Sequence, residues 1–129
     1  LPPIRVLDAR NATGGGGASQ GPIAADRLIV LRLAGAAGVA ADATGVLVTL
    51  TVIDADYGGF LTAYPTDGTT GQAFPHLHFA DDGRPVASTV LCALGRGRGS
   101  GRLSLHLSPG PRRTGAQVIV DVGGYLVPD

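Results

Sequence analysis

Short runs of β-branched and aliphatic residues recur along the chain, and segments rich in Gly, Pro and Asp separate them. The alternation of polar and apolar residues is clearest over 102–108, where Leu103, Leu105 and Leu107 occupy every second position. That spacing predicts a strand whose leucines face a core. By the same criteria, strands are predicted over 4–8, 27–33, 45–53, 60–64, 73–79, 86–94, 102–108 and 117–122.

Eight short strands without a convincing helical segment predict an all-β protein. The expected architecture is a single-domain antiparallel β-sandwich over 1–129, of the jelly-roll or the immunoglobulin-like type. The strands over 45–53 and 60–64 are separated only by a short turn that contains Asp54, Asp56 and two glycines. This spacing predicts that the two strands pair as a hairpin.

The composition narrows the classes of function. All ten basic residues are Arg and all ten acidic residues are Asp, so the formal net charge is zero. Zero net charge gives no general attraction to nucleic acid or to an anionic membrane surface, and no apolar run reaches the roughly 18 residues that a membrane-spanning helix needs. The chain has no Glu and no recognisable pair of Asp for glycoside hydrolysis. We therefore predict no catalytic activity, no cofactor, no nucleic-acid partner and no membrane insertion.

Cys92 is the single cysteine of the chain and lies in an apolar run. It has no partner for an internal disulfide, and we interpret it as a small buried hydrophobic residue. The chain starts with Leu1, Pro2 and Pro3 and has no initiator Met. Removal of an export signal is one ordinary way to produce such a start.

Motifs at both ends and in the middle of the chain resemble a known family. They are Ile-Arg5-Val-Leu-Asp8-Ala-Arg10, Val-Thr49-Leu-Thr51-Val, Gly-Phe-Leu-Thr-Ala-Tyr64-Pro65 and Val-Ile-Val-Asp121-Val-Gly-Gly124-Tyr125. Together they resemble a β-domain of exported proteins of high-GC Gram-positive bacteria, whose pattern opens with RVLDTR and closes with VDVxGYF. The resemblance implies a non-catalytic module that is secreted or associated with the cell wall.

The chain departs from the family pattern at several positions. The family commonly has Asn where this chain has Thr49, His76, His78 and Ser88, and Thr where it has Ala9. Many members also have a pair of cysteines, whereas this chain has one. A ligand site built on those asparagines would not carry over to this chain.

Charged residues of the two end motifs predict a structural latch. Arg5 and Arg10 bracket Asp8 near the start, and Asp121 and Tyr125 lie near the end. If the two terminal strands lie side by side, an Arg side chain can hold a carboxylate through two hydrogen bonds. The alternative for these acidic residues is direct ligand binding.

Three histidines form a candidate metal site. His76 and His78 have the spacing of two side chains on one face of a strand, and His106 lies on another predicted strand. Three imidazoles from two strands would suit Zn²⁺ with one open position. The alternative is that these are polar surface histidines, and His106 is expected to face solvent because it alternates with leucines.

Two further sets of charged residues are weaker candidates for binding. Asp54 and Asp56, with Asp81 and Asp82, offer oxygen ligands for Ca²⁺, although Asp is also an ordinary turn residue. Arg96, Arg98 and Arg102 alternate with Gly and Ser and form a candidate cationic contact loop. We expect such a loop to contact acidic neighbours or wall polymers.

The sequence therefore favours a secreted or cell-surface structural or adhesive module that joins copies of itself or other surface proteins. Extended terminal segments next to prolines are the expected pairing elements, because such segments can add to the sheet edge of a neighbour. The alternative is a carbohydrate-binding or cell-wall-binding module. A zinc site on His76, His78 and His106 is a remote third possibility.

Overall fold

All eight predicted strands form. The computed structural model describes residues 3–8, 28–36, 38–53, 55, 59–66, 77–80, 84–95, 101–107 and 116–128. In chain order the strands are β1 (Ile4–Asp8), β2 (Leu28–Arg32), β3 (Gly45–Ile53), β4 (Gly59–Pro65), β5 (Leu77–Phe79), β6 (Val86–Ala93), β7 (Arg102–Leu107) and β8 (Gln117–Leu126). Because the described residues contain no helix, the all-β prediction is confirmed. None of the described segments is a helix that is long and apolar enough to span a membrane.

The strands form two antiparallel sheets. The first sheet has the order β1-β8-β3-β6, and the second has the order β2-β7-β4-β5. Every first-half strand thus pairs with its mirror-image strand of the second half: β1 with β8, β2 with β7, β3 with β6 and β4 with β5. A long hairpin folded over into two facing sheets has this pairing, which is the jelly roll of the two predicted architectures.

The predicted hairpin between the third and fourth strands is wrong. β3 belongs to the first sheet, where β6 and β8 flank it, whereas β4 belongs to the second sheet beside β5 and β7. The chain between them therefore crosses from one sheet to the other. Short spacing and turn residues predicted the reversal of direction, but the partner of each strand is set by contacts that are distant in sequence.

The core lies between the sheets and is built from alternate residues of each strand. On β3 the inward residues Val46, Val48, Leu50 and Val52 are completely buried, and Thr49 and Thr51 share the outer face as predicted. On β7, Leu103 and Leu105 are completely buried, while the side chain of Leu107 lies outside the described part. At about 25 cal/mol per Å² of apolar surface removed from water, this interior is the main source of stability.

The last strand is longer than the sequence predicts. It was expected to end at 122, but it continues to Leu126 because the pairing with β3 shifts register between Leu47 and Val48. This irregularity lets Gly124 lie opposite Leu47 and Tyr125 opposite Val46. An extra residue of this kind is a β-bulge, and it carries the strand past two glycines that would otherwise weaken it.

Candidate interaction surface

One row of polar residues crosses the outer face of the first sheet. Arg5 of β1 lies opposite Asp121 of β8, Asp121 lies opposite Thr49 of β3, and Thr49 lies opposite Thr89 of β6. Each strand thus contributes one residue to the row. Directly opposed side chains on one face of a sheet are near enough to interact, so we call these four residues the polar row.

At one end of the polar row, the structure brings together two of the predicted latch residues. Arg5 Nε donates to Asp121 Oδ1 over 2.9 Å, and Arg5 Nη2 donates to Asp121 Oδ2 over 3.4 Å. The Arg5 side chain is 45% exposed and that of Asp121 is 23% exposed. This is the two-point grip expected from terminal strands that lie side by side, made at the protein surface where water weakens it.

The other predicted latch residues do not join this pair in the described part. Asp8 lies opposite Ile119 at the far end of β1, but its side chain is not described, and Arg10 lies outside the described residues. Tyr125 lies four residues beyond Asp121 along β8, past the end of β1, and opposite Val46. At about 3.4 Å per residue, the backbone of Tyr125 is up to about 14 Å from that of Asp121.

At the other end of the polar row, two threonine hydroxyls bond to each other. Thr49 Oγ1 and Thr89 Oγ1 are 2.8 Å apart, and either hydroxyl can donate. Thr89 lies on β6, which is an edge strand of the first sheet. The polar row therefore has a side-chain hydrogen bond at each end, and Asp121 and Thr49 lie opposite each other in its middle.

Beside the polar row, the outer face of the first sheet is apolar and exposed. Leu47 of β3 lies between Gly124 of β8 and Leu91 of β6. Leu47 is 40% exposed, Leu91 is 62% exposed and Leu126, one row further on, is 52% exposed. We call Leu47, Leu91 and Leu126 the apolar patch. Because Gly45 and Gly124 have no side chains, the three leucines project from this part of the face. A Cβ added at Gly45 would lie 3.4 Å from Leu126 Cδ1.

The inner face of β6 is more buried than its outer face and is closed at Cys92. Cys92 faces the core, is 5% exposed and is a free thiol. Burial raises the pKa of the Cys92 thiol to about 11, which keeps it protonated and unreactive at neutral pH. The interpretation of Cys92 as a buried hydrophobic residue is confirmed.

The sequence predicts pairing elements at the chain ends, and both terminal strands belong to the first sheet. β8 lies between β1 and β3 and pairs with both of them. Its backbone groups pair on both sides over 119–122, whereas beyond Val122 only β3 pairs with it in the described part. Of the two terminal strands, only β1 lies at an edge.

The candidate metal site is only partly described. His78 lies opposite Phe60 and His106 lies opposite Thr62, so β4 separates the two histidines. Strand spacing alone puts their backbones about 10 Å apart across the sheet. The ring of His78 contacts that of Phe60 instead, with centroids 5.8 Å apart. His76 lies outside the described residues, and among those described no group of three His, Cys or Asp could hold a metal ion.

The other charged candidates lie mostly outside the described part. This holds for Asp54, Asp56, Arg96 and Arg98, and also for Asp81 and Asp82. Arg102 is half-buried at the start of β7, directly opposite the exposed Arg32 of β2. This corner of the second sheet therefore has two guanidinium groups in one cross-strand pair. The sequence did not reveal the contribution of Arg32, because it depends on the pairing of two strands that are distant in the chain.

An open cleft of about 520 Å³ lies where the edges of the two sheets approach each other, next to the start of β6. Its polar lining comes from His78 and Arg84, and both side chains are exposed. Pro85 and Phe79 supply part of its apolar lining. A shallow cleft with an imidazole, a guanidinium and an adjoining aromatic ring can accept a polar ligand such as a sugar.

A second set of hydroxyl groups, on the second sheet, was not singled out from the sequence. Thr66 Oγ1 and Ser104 Oγ are 3.0 Å apart, and Tyr64 also bonds to Ser104. Burial raises the pKa of Tyr64, and the hydrogen bond to Ser104 partly offsets this rise. Ser104 is 2% exposed, so these hydroxyls satisfy one another inside the protein and serve its structure.

Sequence reasoning also passed over a Gly-x-Ser-x-Gly spacing around Ser19. A nucleophile elbow with that spacing needs a strand before the serine and a helix after it. Pro22 follows the last glycine, and the whole segment lies outside the described residues.

Comparison with models of known protein families and with curated proteins finds no match to this chain.

Proposed function

We propose that this protein is a secreted or cell-surface structural or adhesive module without catalytic activity, and that it assembles with copies of itself. The observation that carries the proposal is the apolar patch of Leu47, Leu91 and Leu126 on the outer face of the first sheet. Large apolar side chains that cluster on a surface commonly mark an interaction site. The extracellular location rests on the family resemblance of the end motifs.

The use of polar groups supports a structural role. Arg5 is paired with Asp121, and Thr49 is paired with Thr89. On the second sheet, Ser104 bonds to Thr66 and Tyr64. These groups hold strands to one another, and a module that bears load or presents a surface needs such cross-strand contacts.

The size of the 129-residue chain in solution tests this proposal. Sedimentation velocity and light scattering would be measured from micromolar to millimolar concentration at moderate salt. We expect a mass above the 12.9 kDa of one chain that rises with concentration, because apolar contact surfaces associate by mass action. A protein that keeps the mass of one chain over the whole range would contradict self-assembly.

A carbohydrate-binding or cell-wall-binding module is the second candidate, favoured by the cleft beside His78 and Arg84. Jelly rolls include lectin domains among their known uses, although a fold alone does not fix a function. Retention on insoluble wall polysaccharide, lost on Arg84→Ala and kept on Leu91→Lys, would support this candidate. No retention of the wild-type protein would remove it.

A further inference from the structure

Three of the four edge strands in the described part carry features that discourage pairing with another chain. β1 has the charged Arg5 and an irregular register between Arg5 and Leu7. β2 has Arg32, and β5 has only three residues with His78 at its centre. Charges, irregular register and short length are the usual protections of exposed sheet edges.

The fourth edge strand, β6, has none of these protections. Its eight residues are Val-Ala-Ser-Thr-Val-Leu-Cys-Ala, without a charged residue, a proline or a glycine. Its pairing with β3 runs from Val86 to Ala93 without a register shift, so the strand is regular over its whole length. No described strand pairs with the edge of β6 that faces away from β3. Such an edge presents a continuous set of backbone donors and acceptors to another strand.

We propose that β6 pairs antiparallel with β6 of a second copy of this chain, so that two four-stranded sheets become one eight-stranded sheet. This inference rests on the proposed function and names the surface that carries it. The two copies would be related by a two-fold axis perpendicular to the sheet, the commonest symmetry of protein dimers. That axis keeps both outer faces on the same side, so outer-face residues pair with outer-face residues.

The charge pattern favours a second copy as the occupant. A two-fold axis sets a strand beside its own copy, so every charge on the strand has a like charge within the same pair of strands, and nearby like charges destabilise a sheet. β6 has no charge to repel its copy, whereas the same operation on β1 or β2 would place Arg5 or Arg32 of both copies in one short pair of strands.

The apolar patch also favours a second copy of this chain as the partner of β6. Leu91 lies on the outer face of β6, and Leu47 lies directly behind it on β3. Pairing across β6 joins the patches of the two copies into one surface that is continuous through both sheets. Leu91 is 62% exposed, the highest value among the large hydrophobic side chains that the structure describes, and this pairing places it within the interface instead of at a sheet edge.

Lysine substitutions at two edges test this inference in the full chain. Leu91→Lys and Ala87→Lys each add a charge to the outer face of β6, and Ala87 is a small exposed residue whose replacement disturbs no core contact. Val30→Lys is the matched control, because Val30 is 38% exposed on the edge strand β2 of the other sheet. In sedimentation velocity we expect wild type and Val30→Lys to dimerise, and both β6 variants to keep the mass of one chain.

The possible outcomes separate the inference from the proposed function. If wild type and both β6 variants associate equally, the β6 interface is wrong while assembly stands. If wild type does not associate, both are wrong. Circular dichroism melts establish that each variant folds, and Ala87→Lys decides the question if Leu91→Lys does not.

Hydrogen exchange adds a direct readout of the backbone. Amides of peptides covering 86–93 should gain protection as the concentration of wild type rises, while those covering 4–8 should not change. Equal gains at both edges, or none at β6, would overturn the inference even if the protein dimerises.

Discussion

The first sheet ends in two edge strands that differ in almost every respect. β1 has five residues, an irregular register and a charged side chain held by Asp121. β6 has eight residues, a regular register and no charge, and its outer face continues into the apolar patch. Because both strands belong to the same sheet and pack against the same core, the core does not explain the difference between them. The protection of a sheet edge is a local feature of the sequence, and β6 lacks it over all eight of its residues.

The contrast between β1 and β6 depends on β6 being a stable strand whose Cys92 side chain is buried against the core. The pH dependence of stability that comes from Cys92 tests this and should be the largest of the expected effects. Burial raises the pKa of the Cys92 thiol from its ordinary value of 9.0 to about 11. Above pH 9 the unfolded chain loses this proton while the folded protein keeps it. The contribution of the Cys92 thiol to the free energy of unfolding should therefore be constant below about pH 9 and fall by about 2–3 kcal/mol as the pH rises to 11.

Urea unfolding of wild type and Cys92→Ala across this pH range would measure that fall. Tyr64 also titrates in the alkaline range, so the informative quantity is the difference between the two proteins at each pH. If the Cys92 thiol of the native protein reacted quickly with a soluble disulfide reagent at pH 8, that result would contradict the burial of Cys92 under β6.

The sequence predicted the strands well because their pattern is local. The apolar alternation of Arg102–Leu107 and the aliphatic runs of β3 and β6 appear in the printed sequence as strands. The end of β8 was missed, because Gly123 and Gly124 suggested a stop and only the bulge opposite Leu47 explains their continuation. The hairpin of β3 with β4 failed for a related reason, since proximity in sequence does not decide which sheet a strand joins.

The candidate interaction surface shows the same difference between local patterns, which the sequence predicts, and contacts between distant strands, which it does not. The Arg5–Asp121 contact was accessible from sequence because each residue lies in a recognisable end motif. The β6 edge was not, because a strand is an edge only by virtue of what fails to pair with it, and that depends on the whole topology. The apolar patch was equally hidden, since Leu47, Leu91 and Leu126 come from three separate strands.

The protection of the β1 edge has a smaller predicted effect on stability. We expect Asp121→Ala to lower the free energy of unfolding by about 1 kcal/mol, because exposed ion pairs contribute roughly 0.2–1 kcal/mol and this one has two hydrogen bonds. A double-mutant cycle with Arg5→Ala isolates the pair from other losses. The coupling energy should be about 0.5–1 kcal/mol and should shrink in high salt. A coupling of zero at low salt would show that the Arg5–Asp121 contact does not stabilise the β1 edge.

The smallest effect on stability is expected at the β6 end of the polar row, where the same substitution should change stability and association in opposite directions. Thr89→Val keeps the β-branched shape and removes the hydroxyl that bonds to Thr49 over 2.8 Å. Because Thr89 is exposed, water replaces the lost bond, and we expect a cost of only about 0.2–0.5 kcal/mol.

The same substitution makes the outer face of β6 more apolar, so it should strengthen association in sedimentation velocity while it slightly weakens the single chain. Thr49→Val is the control, since it breaks the same hydrogen bond from β3, one strand behind the edge. If Thr89→Val and Thr49→Val changed association equally, the effect would come from the broken hydrogen bond and not from the edge. A larger gain for Thr89→Val would identify β6 as the strand that meets the partner.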